Sequence, residues 1–421
     1  MKPCYTAAEI LLPNFQTVDA DRWEVVACDQ FTSEKEYWEA ADRIVAQSPS
    51  TLRMILPEVY LSETERRIPH VQQTMREYLQ SCLRAYPDSM IYVERTQSDG
   101  SIRRGIVMAI DLECYDYRKG ASALIRATEA TVVERIPPRV AIRRGAAVEL
   151  PHVMLLIDDA EKSVIEPLAK NAQGAVAYDT DLMLGGGHLF GRFLTEAEQE
   201  QVSRALDALI TPEQMEARYG KASLSPLLFA VGDGNHSLAS AKAAYEEIKE
   251  RIGADAAATH PARYALAEVV NIHDDALKFE PIYRVMFGVD PSEVLTKLTA
   301  YLSSLRGDAV KQTMQYRFGA TTGTLIAETP VRQLTVGTLQ DFIDDYLRSH
   351  PEAEVDYIHG EESVKHLTER EGAIGFTFSG MEKSELFPTV IFDGALPRKT
   401  FSMGHAEDKR YYMECRKIEQ S

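Results

Sequence analysis

The sequence predicts an α/β protein with mixed sheets in two domains, residues 1–288 and 289–421. Three observations carry that expectation. Residues 227–231 are a short apolar run that ends at Gly232-Asp233-Gly234, and a helical pattern follows over 238–249; a buried strand, a tight turn and a helix are the simplest reading. A second junction of this kind has an apolar run over 23–28, then Asp29, then Ser33 and Glu36 at capping-box spacing before Tyr37 and Trp38. Third, composition shifts at Pro291. Beyond it, helical patterns over 292–305 and 339–347 frame a hairpin at 316–319 and 323–327, with a strand over 373–378 and further mixed structure over 401–416.

The remaining elements follow from local signals. Ser62-Glu63-Thr64-Glu65 opens a helix to about 85, with Val71, Met75, Tyr78, Leu79 and Cys82 at helical spacing. Residues 90–95 and 102–112 read as a hairpin across Gln97-Ser98-Asp99-Gly100. A strand ends near Arg126, and Pro137-Pro138 interrupts the helical pattern of 132–144. Residues 152–157 form a buried strand ending in Asp158 and Asp159, which either bind a cation or cap the next turn. Gly185-Gly186-Gly187 gives the backbone freedom to approach a ligand; a plain hairpin loop with His188 exposed is the stronger reading. Thr195 and Glu198 form a capping box, and Pro212 starts a further helix that ends near Gly220. Strands follow over 263–272 and 279–287, the latter carrying Arg284 mid-strand. His359 sits at a strand-to-turn junction.

Composition bounds the function. The chain has 421 residues, 45% hydrophobic and 26% charged, ordinary values for a globular protein and enough length for two or three domains. A formal charge of −18 argues against a nucleic-acid partner, because a phosphate backbone selects positive surface; Arg139, Arg143 and Arg144 form a local exception. The five cysteines are widely spaced without a Cys-x-x-Cys pair, which predicts a reduced, cytoplasmic setting and offers no zinc signal. No run approaches the roughly 20 apolar residues of a membrane span, and no signal-peptide pattern follows Met1. The expected partner is a small molecule; oligomeric state is not encoded in these features.

The turn at 233–237 concentrates the chemistry. A helix N-terminus presents N–H groups and the positive end of its dipole, so Gly234, Asn235 and Ser237 suit a phosphate. Asn235 and Ser237 are both N-cap types. Asp233 and His236 could hold a metal or move a proton. Turns use Gly, Asp and Asn for conformational reasons alone, so a structural role stands at even weight. The Gly-Lys-Ser/Thr ending of a Walker loop and the Gly-x-Gly-x-x-Gly spacing are both absent.

Asp233-Gly234-Asn235-His236 resembles the Asp-Gly-His-His-Arg block of the domain-of-unknown-function family 1015. The resemblance continues along most of the chain. Arg126-Ala127-Thr128-Glu129 is similar to that family's Arg-His-Glu block, residues 269–285 to its Asn-x-x-Asp-Pro-Gly-Leu…Leu-Pro-Thr-His-Arg block, and Leu396-Pro397-Arg398-Lys399-Thr400-Phe401 to its Met-Pro-x-Lys-Ser-Thr-Tyr-Phe block. Asp29 resembles the aspartate of its Pro-Tyr-Asp block. The family's turn is in turn similar to one in free-serine kinases of the ParB/sulfiredoxin-like superfamily, where it cradles a nucleotide phosphate. This chain departs from the family pattern in three places: Asn235 replaces the first motif histidine, Ser237 the arginine, and Tyr283 a later histidine. Loss of the arginine removes a bidentate phosphate donor.

The resemblance implies a ParB/sulfiredoxin-like N-terminal domain, a smaller C-terminal α/β domain, and a nucleotide-dependent phosphotransferase acting on a small hydroxyl metabolite such as an amino acid. The implied roles are Asp233, Glu129 and His236 in catalysis. Gly234, Asn235, Ser237, Arg126, Arg284, Lys399 and Asp29 would bind phosphate or substrate, with ADP or ATP and Mg²⁺ as cofactors and no assigned metal ligand. A non-catalytic nucleotide- or metabolite-binding regulator and a metal-dependent hydrolase are the alternatives.

Overall fold

The computed structural model describes residues 3–129, 136–170, 173–220 and 224–420; the expected helical stretch over 132–135 lies outside them. The chain packs as two units. The first comprises Met1–Ala127, Thr131–Leu277 and Gly404–Ser421, the second Thr128–Ala130 and Lys278–Met403. Against a single predicted boundary near 288, strand 279–287 lies in the second unit, where its sheet partners are, and 404–421 returns to the first.

The first unit is built on a ten-stranded mixed sheet. Its main elements are β1 (Ile91–Thr96), β2 (Ile102–Asp111), β3 (Ile125–Ala127), α1 (Ile136–Arg143), β4 (Met154–Ile157), β5 (Phe229–Asp233), α2 (Asn235–Ile252) and β6 (Tyr264–Asn271). The sheet runs Tyr115–Asp116, β3, β5, β4, β6, β2, β1, His188–Phe193 and Val176–Asp181, and its tenth strand, Tyr5–Thr6, pairs with β2 off this path. β5 is parallel to β3, with Ala230 opposite Arg126, and antiparallel to β4, with Ala230 opposite Leu156. That central position explains its composition: Phe229, Ala230 and Val231 are each fully buried, as a strand covered on both faces requires. Leu238, Ala241 and Tyr245 of α2 belong to the same buried core cluster as Val231, Leu155 and Val269, each large side chain contributing about 1.5–3 kcal/mol of apolar burial. The predicted hairpin is the β1–β2 pair. The triple glycine closes the hairpin of Val176–Asp181 and His188–Phe193, and His188 contacts Asp179 and Asp181 there.

Two local expectations are corrected. Residues 23–28 form no strand; a single bridge joins Val26 to Arg410. The segment is held from the other end of the chain: Ala27 N–H donates to the Lys409 carbonyl at 2.7 Å and Tyr411 N–H to the Val25 carbonyl at 3.0 Å. A short, irregular partner leaves no ladder to propagate. The Ser33–Glu36 capping box does not form either; the helix spans Lys35–Val45 with Glu34 at its N-cap and no side-chain cap. The box at Thr195 and Glu198 does form.

The C-terminal segment is bound by buried charge. Glu24 Oε1 lies 2.7 Å from Arg95 Nη1 and 3.3 Å from Arg410 Nε, all three side chains being almost wholly buried. Nearby, Tyr178 donates its hydroxyl to Glu414 Oε1 at 2.6 Å. Burial pushes the Glu414 carboxyl up to about 7. The folded state then holds a proton that the unfolded chain has released, so stability falls as pH rises from about 4.5 to 7. Glu414→Gln is expected to flatten that slope, on the order of 3 kcal/mol across the window, in urea titrations between pH 4.5 and 8. An unchanged slope would assign the pH dependence elsewhere.

The second unit holds β7 (Phe279–Phe287), α3 (Pro291–Ser304), β8 (Gln312–Phe318), β9 (Thr321–Ala327), α4 (Thr335–Ser349), β10 (Glu354–His359) and β11 (Ala373–Phe378). Its sheet runs β9, β8, β11, β7, β10 with antiparallel neighbours, and Phe401–Met403 pairs with the start of β7. Alternate apolar side chains of β7 and β11, such as Val285, Ile374 and Phe376, are fully buried, as are Leu339 and Ile343 of α4. Among the described residues no helix is long and apolar enough to cross a membrane.

Candidate functional site

β5 ends at Asp233 and α2 begins two residues later. Gly234 is the N-cap, at φ 78° and ψ 25°, a left-handed conformation that glycine adopts without the cost borne by other residues. A Cβ there would also lie 3.1 Å from the Cα of Val153, so the turn packs directly on the segment entering β4. Neither Asn235 nor Ser237 is the N-cap; both lie in the first turn of α2. Asp233 Oδ1 accepts from its neighbour, Gly234 N–H, at 2.8 Å.

Residues from four separate segments gather here. Ser237 Oγ lies 2.9 Å from Nε2 of His152, just before β4. The His152 ring meets Tyr411 edge-on at 4.8 Å between centroids. Lys409 Nζ is 3.7 Å from Asp233 Oδ2, with both side chains about a quarter exposed. Asp29 is half-buried. Burial alone would raise its carboxyl, but His152, a hydrogen bond from Gln30, Arg139 and Lys409 outweigh it and hold Asp29 below its ordinary value. Beside these groups opens a cleft of about 120 Å³ lined by Ser237, His152, Cys28 and Tyr411 and, on its apolar side, by Ile55 and Leu150 among others. Cys28 itself is pushed up to about 12 by burial, so it stays a thiol. His236, the second residue of α2, is half-buried, its carbonyl accepting from Ser240 Oγ at 2.7 Å.

Two predicted phosphate donors are used structurally. Arg126 is 4% exposed; its Nε donates to the Ala123 carbonyl at 2.8 Å and Nη2 to the Ser225 and Pro226 carbonyls at 2.8 and 3.1 Å. It ties down the loop that feeds β5. Arg284 is fully buried. It donates to Gln340 Oε1 at 2.8 Å and to the carbonyls of Ile282, Lys399 and Arg398 at 2.6, 3.1 and 3.1 Å. Burial lowers its pKa to about 10. Both arginines hold backbone in place. Arg284 builds the loop that exposes Arg398 and Lys399, whose cationic ends lie 5.3 and 5.4 Å from the Tyr357 ring centre. Glu129 belongs to this second unit, in a parallel bridge to Leu396.

The first unit therefore brings together Asp29, Asp233, Gly234, Asn235, His236 and Ser237; the second brings together Glu129, Arg284 and Lys399. Sequence reasoning missed His152, Lys409 and Tyr411. His152 was visible only as the residue opening a strand, and Lys409 and Tyr411 lie in a tail without a motif. Among the described residues no three His, Cys, Asp or Glu side chains are grouped to hold a metal ion.

The sequence matches the family described as "Protein of unknown function (DUF1015)" over residues 12–389. The chain belongs to this family. The DUF1015 match spans Asp29, the 126–129 block, the central turn and Arg284, and stops before Lys399 and the Lys409–Tyr411 segment. No curated protein matches the sequence. Among solved structures, the chain is similar to a free serine kinase in complex with AMP, at 12% identity, 70% of this chain, 86% of that chain and a TM-score of 0.36. It is also similar to the same kinase with ADP, at 12% identity, 72% and 88% coverage and a TM-score of 0.35. A conserved hypothetical protein from Pyrococcus furiosus matches at 11% identity, 70% and 90% coverage and a TM-score of 0.33.

Proposed function

We propose that the N-terminus of α2 binds the phosphates of a nucleotide and that the protein transfers a phosphoryl group to a small hydroxyl metabolite. The observation that carries this reading is the convergence of Lys409, His152, Asp233 and Ser237 on the turn where Gly234 launches an 18-residue helix. Phosphoryl transfer asks mainly for positioning and charge compensation. The first-turn N–H groups and the helix dipole supply part of that, and Lys409 supplies a cation. Asp233 is the carboxylate placed to orient an acceptor hydroxyl. Mg²⁺ binds nucleotide phosphates through one or two carboxylates and its own waters, and Asp233, with Asp29 beside the same lysine, fits that demand without a three-ligand cage. Arg126 and Arg284 drop out of the ligand contacts, and the reading rests on the first unit alone.

A nucleotide that binds the folded state at about 100 times its Kd adds about 2.7 kcal/mol of stability. ADP or ATP with Mg²⁺ is therefore expected to raise the melting temperature by several degrees, and Lys409→Ala to abolish the rise. No rise with either nucleotide, or one that Lys409→Ala leaves intact, would remove the phosphate assignment. A kinase then consumes ATP only with an acceptor present. A regulator, the alternative favoured by the serine at the position of the family's arginine, shows the shift and no turnover.

A further inference from the structure

The hydrogen bond between Ser237 and His152 has a chemical meaning beyond holding a ligand. Ser237 Oγ is 2.9 Å from His152 Nε2, the spacing at which an imidazole takes a proton from a serine hydroxyl. The ring orientation is fixed by that bond and by the edge contact with Tyr411; Nδ1 is buried and has no hydrogen-bond partner among the described residues. Asp29, whose carboxyl is held below its ordinary value in part by His152, is a neighbouring charge. Serine and histidine thus come from α2 and the entry to β4, two stretches far apart in sequence. Ser237 and His152 both line the 120 Å³ cleft, so space for a substrate adjoins the pair.

We propose that Ser237 is a nucleophile activated by His152, and that its substrate is a phosphoryl ester carrying a small apolar group that seats against Ile55 and Leu150. The step is a displacement at phosphorus. Ser237 Oγ forms a bond to phosphorus while its proton passes to His152 Nε2; the bond from phosphorus to the ester oxygen breaks, and the leaving oxygen departs with the electron pair and receives the proton from His152. The acceptor hydroxyl, or water, then attacks the phosphoserine with His152 as base. The inference rests on the reading of the α2 N-terminus as a phosphoryl site, and it assigns the enzyme a covalent intermediate.

The test uses the full chain and a small dialkyl phosphorofluoridate, in which Ser237 displaces fluoride and His152 accepts the proton. The expected result is one adduct by intact mass, mapped to Ser237, absent in Ser237→Ala and retained in Ser240→Ala. His152→Ala is expected to label about 100-fold more slowly or worse, with added imidazole restoring part of the rate and circular dichroism confirming the fold. Labelling no faster than in the urea-unfolded chain would overturn the proposal, as would a Ser237 adduct that forms equally fast in folded His152→Ala. Outcomes for the two readings separate cleanly. An ADP-induced melting shift without labelling removes the nucleophile and leaves the phosphate site; labelling without any nucleotide shift removes nucleotide as the donor and leaves the serine.

Discussion

Glu24→Gln is expected to be the most damaging conservative substitution in the first unit, lowering stability by about 3–5 kcal/mol. Glu24 is the carboxylate between two buried guanidiniums, 2.7 Å from Arg95 Nη1 and 3.3 Å from Arg410 Nε. Neutralising it removes the carboxylate that the two guanidiniums share, leaving Arg95 only the more distant charge of Glu268, and a buried charge stripped of its partner costs far more than the pair contributes. The consequence reaches the site. Arg410 stands between Lys409 and Tyr411, and the same stretch hydrogen-bonds Val25 and Ala27 just before Asp29. Loosening it would displace Lys409 from Asp233 and Tyr411 from His152 together. Urea denaturation should therefore show a large loss of midpoint, and nucleotide-induced stabilisation should weaken in the folded fraction. A loss under about 1 kcal/mol, the range of an exposed pair, would show that water reaches this network.

Gly234→Ala is expected to cost about 2–3 kcal/mol and to remove the ligand-induced shift. An L-residue in the left-handed region costs about 1–2 kcal/mol, and overpacking against a fixed neighbour adds about 1 kcal/mol or more. The neighbour here is backbone, the Cα of Val153 at 3.1 Å, which cannot rotate away. Gly220 provides the comparison: it has nearly the same φ, 75°, yet a Cβ there would meet nothing within 4 Å. Gly220→Ala should thus cost the conformational part alone and leave ligand binding unchanged. Equal costs at the two positions would mean that the α2 N-terminus is not pressed against the entry to β4.

The parts of the fold legible in the sequence were those written locally. The run over 227–231 reads as a buried strand because nothing polar interrupts it, and the structure buries Leu227 to Val231, with β5 starting at Phe229. The hairpin of β1 and β2 announced itself through its turn. Residues 23–28 misled because their apolarity reflects burial and not pairing; the partner is a segment near 410, and no local pattern encodes a contact across that separation. The same limit applies to the site. The Asp233–Ser237 turn could be singled out from its glycines and helix start, whereas His152 and Lys409 carry meaning only once the sheet order and the returning C-terminal segment place them beside it. Arg126 and Arg284 show a structural use that the sequence did not signal. A motif arginine near a strand end suggests a ligand donor, yet buried carbonyls also need donors, and a guanidinium can satisfy several loops at once.

The most direct measurement is hydrogen–deuterium exchange of the full chain with and without ADP and Mg²⁺. The account predicts slowed exchange confined to three peptides, those covering Asp233 and the first turn of α2, His152 at the entry to β4, and the Lys409–Tyr411 segment, with the effect lost in Lys409→Ala. Protection elsewhere with these three unchanged, or no protection at saturating nucleotide, would contradict a phosphate site at this turn.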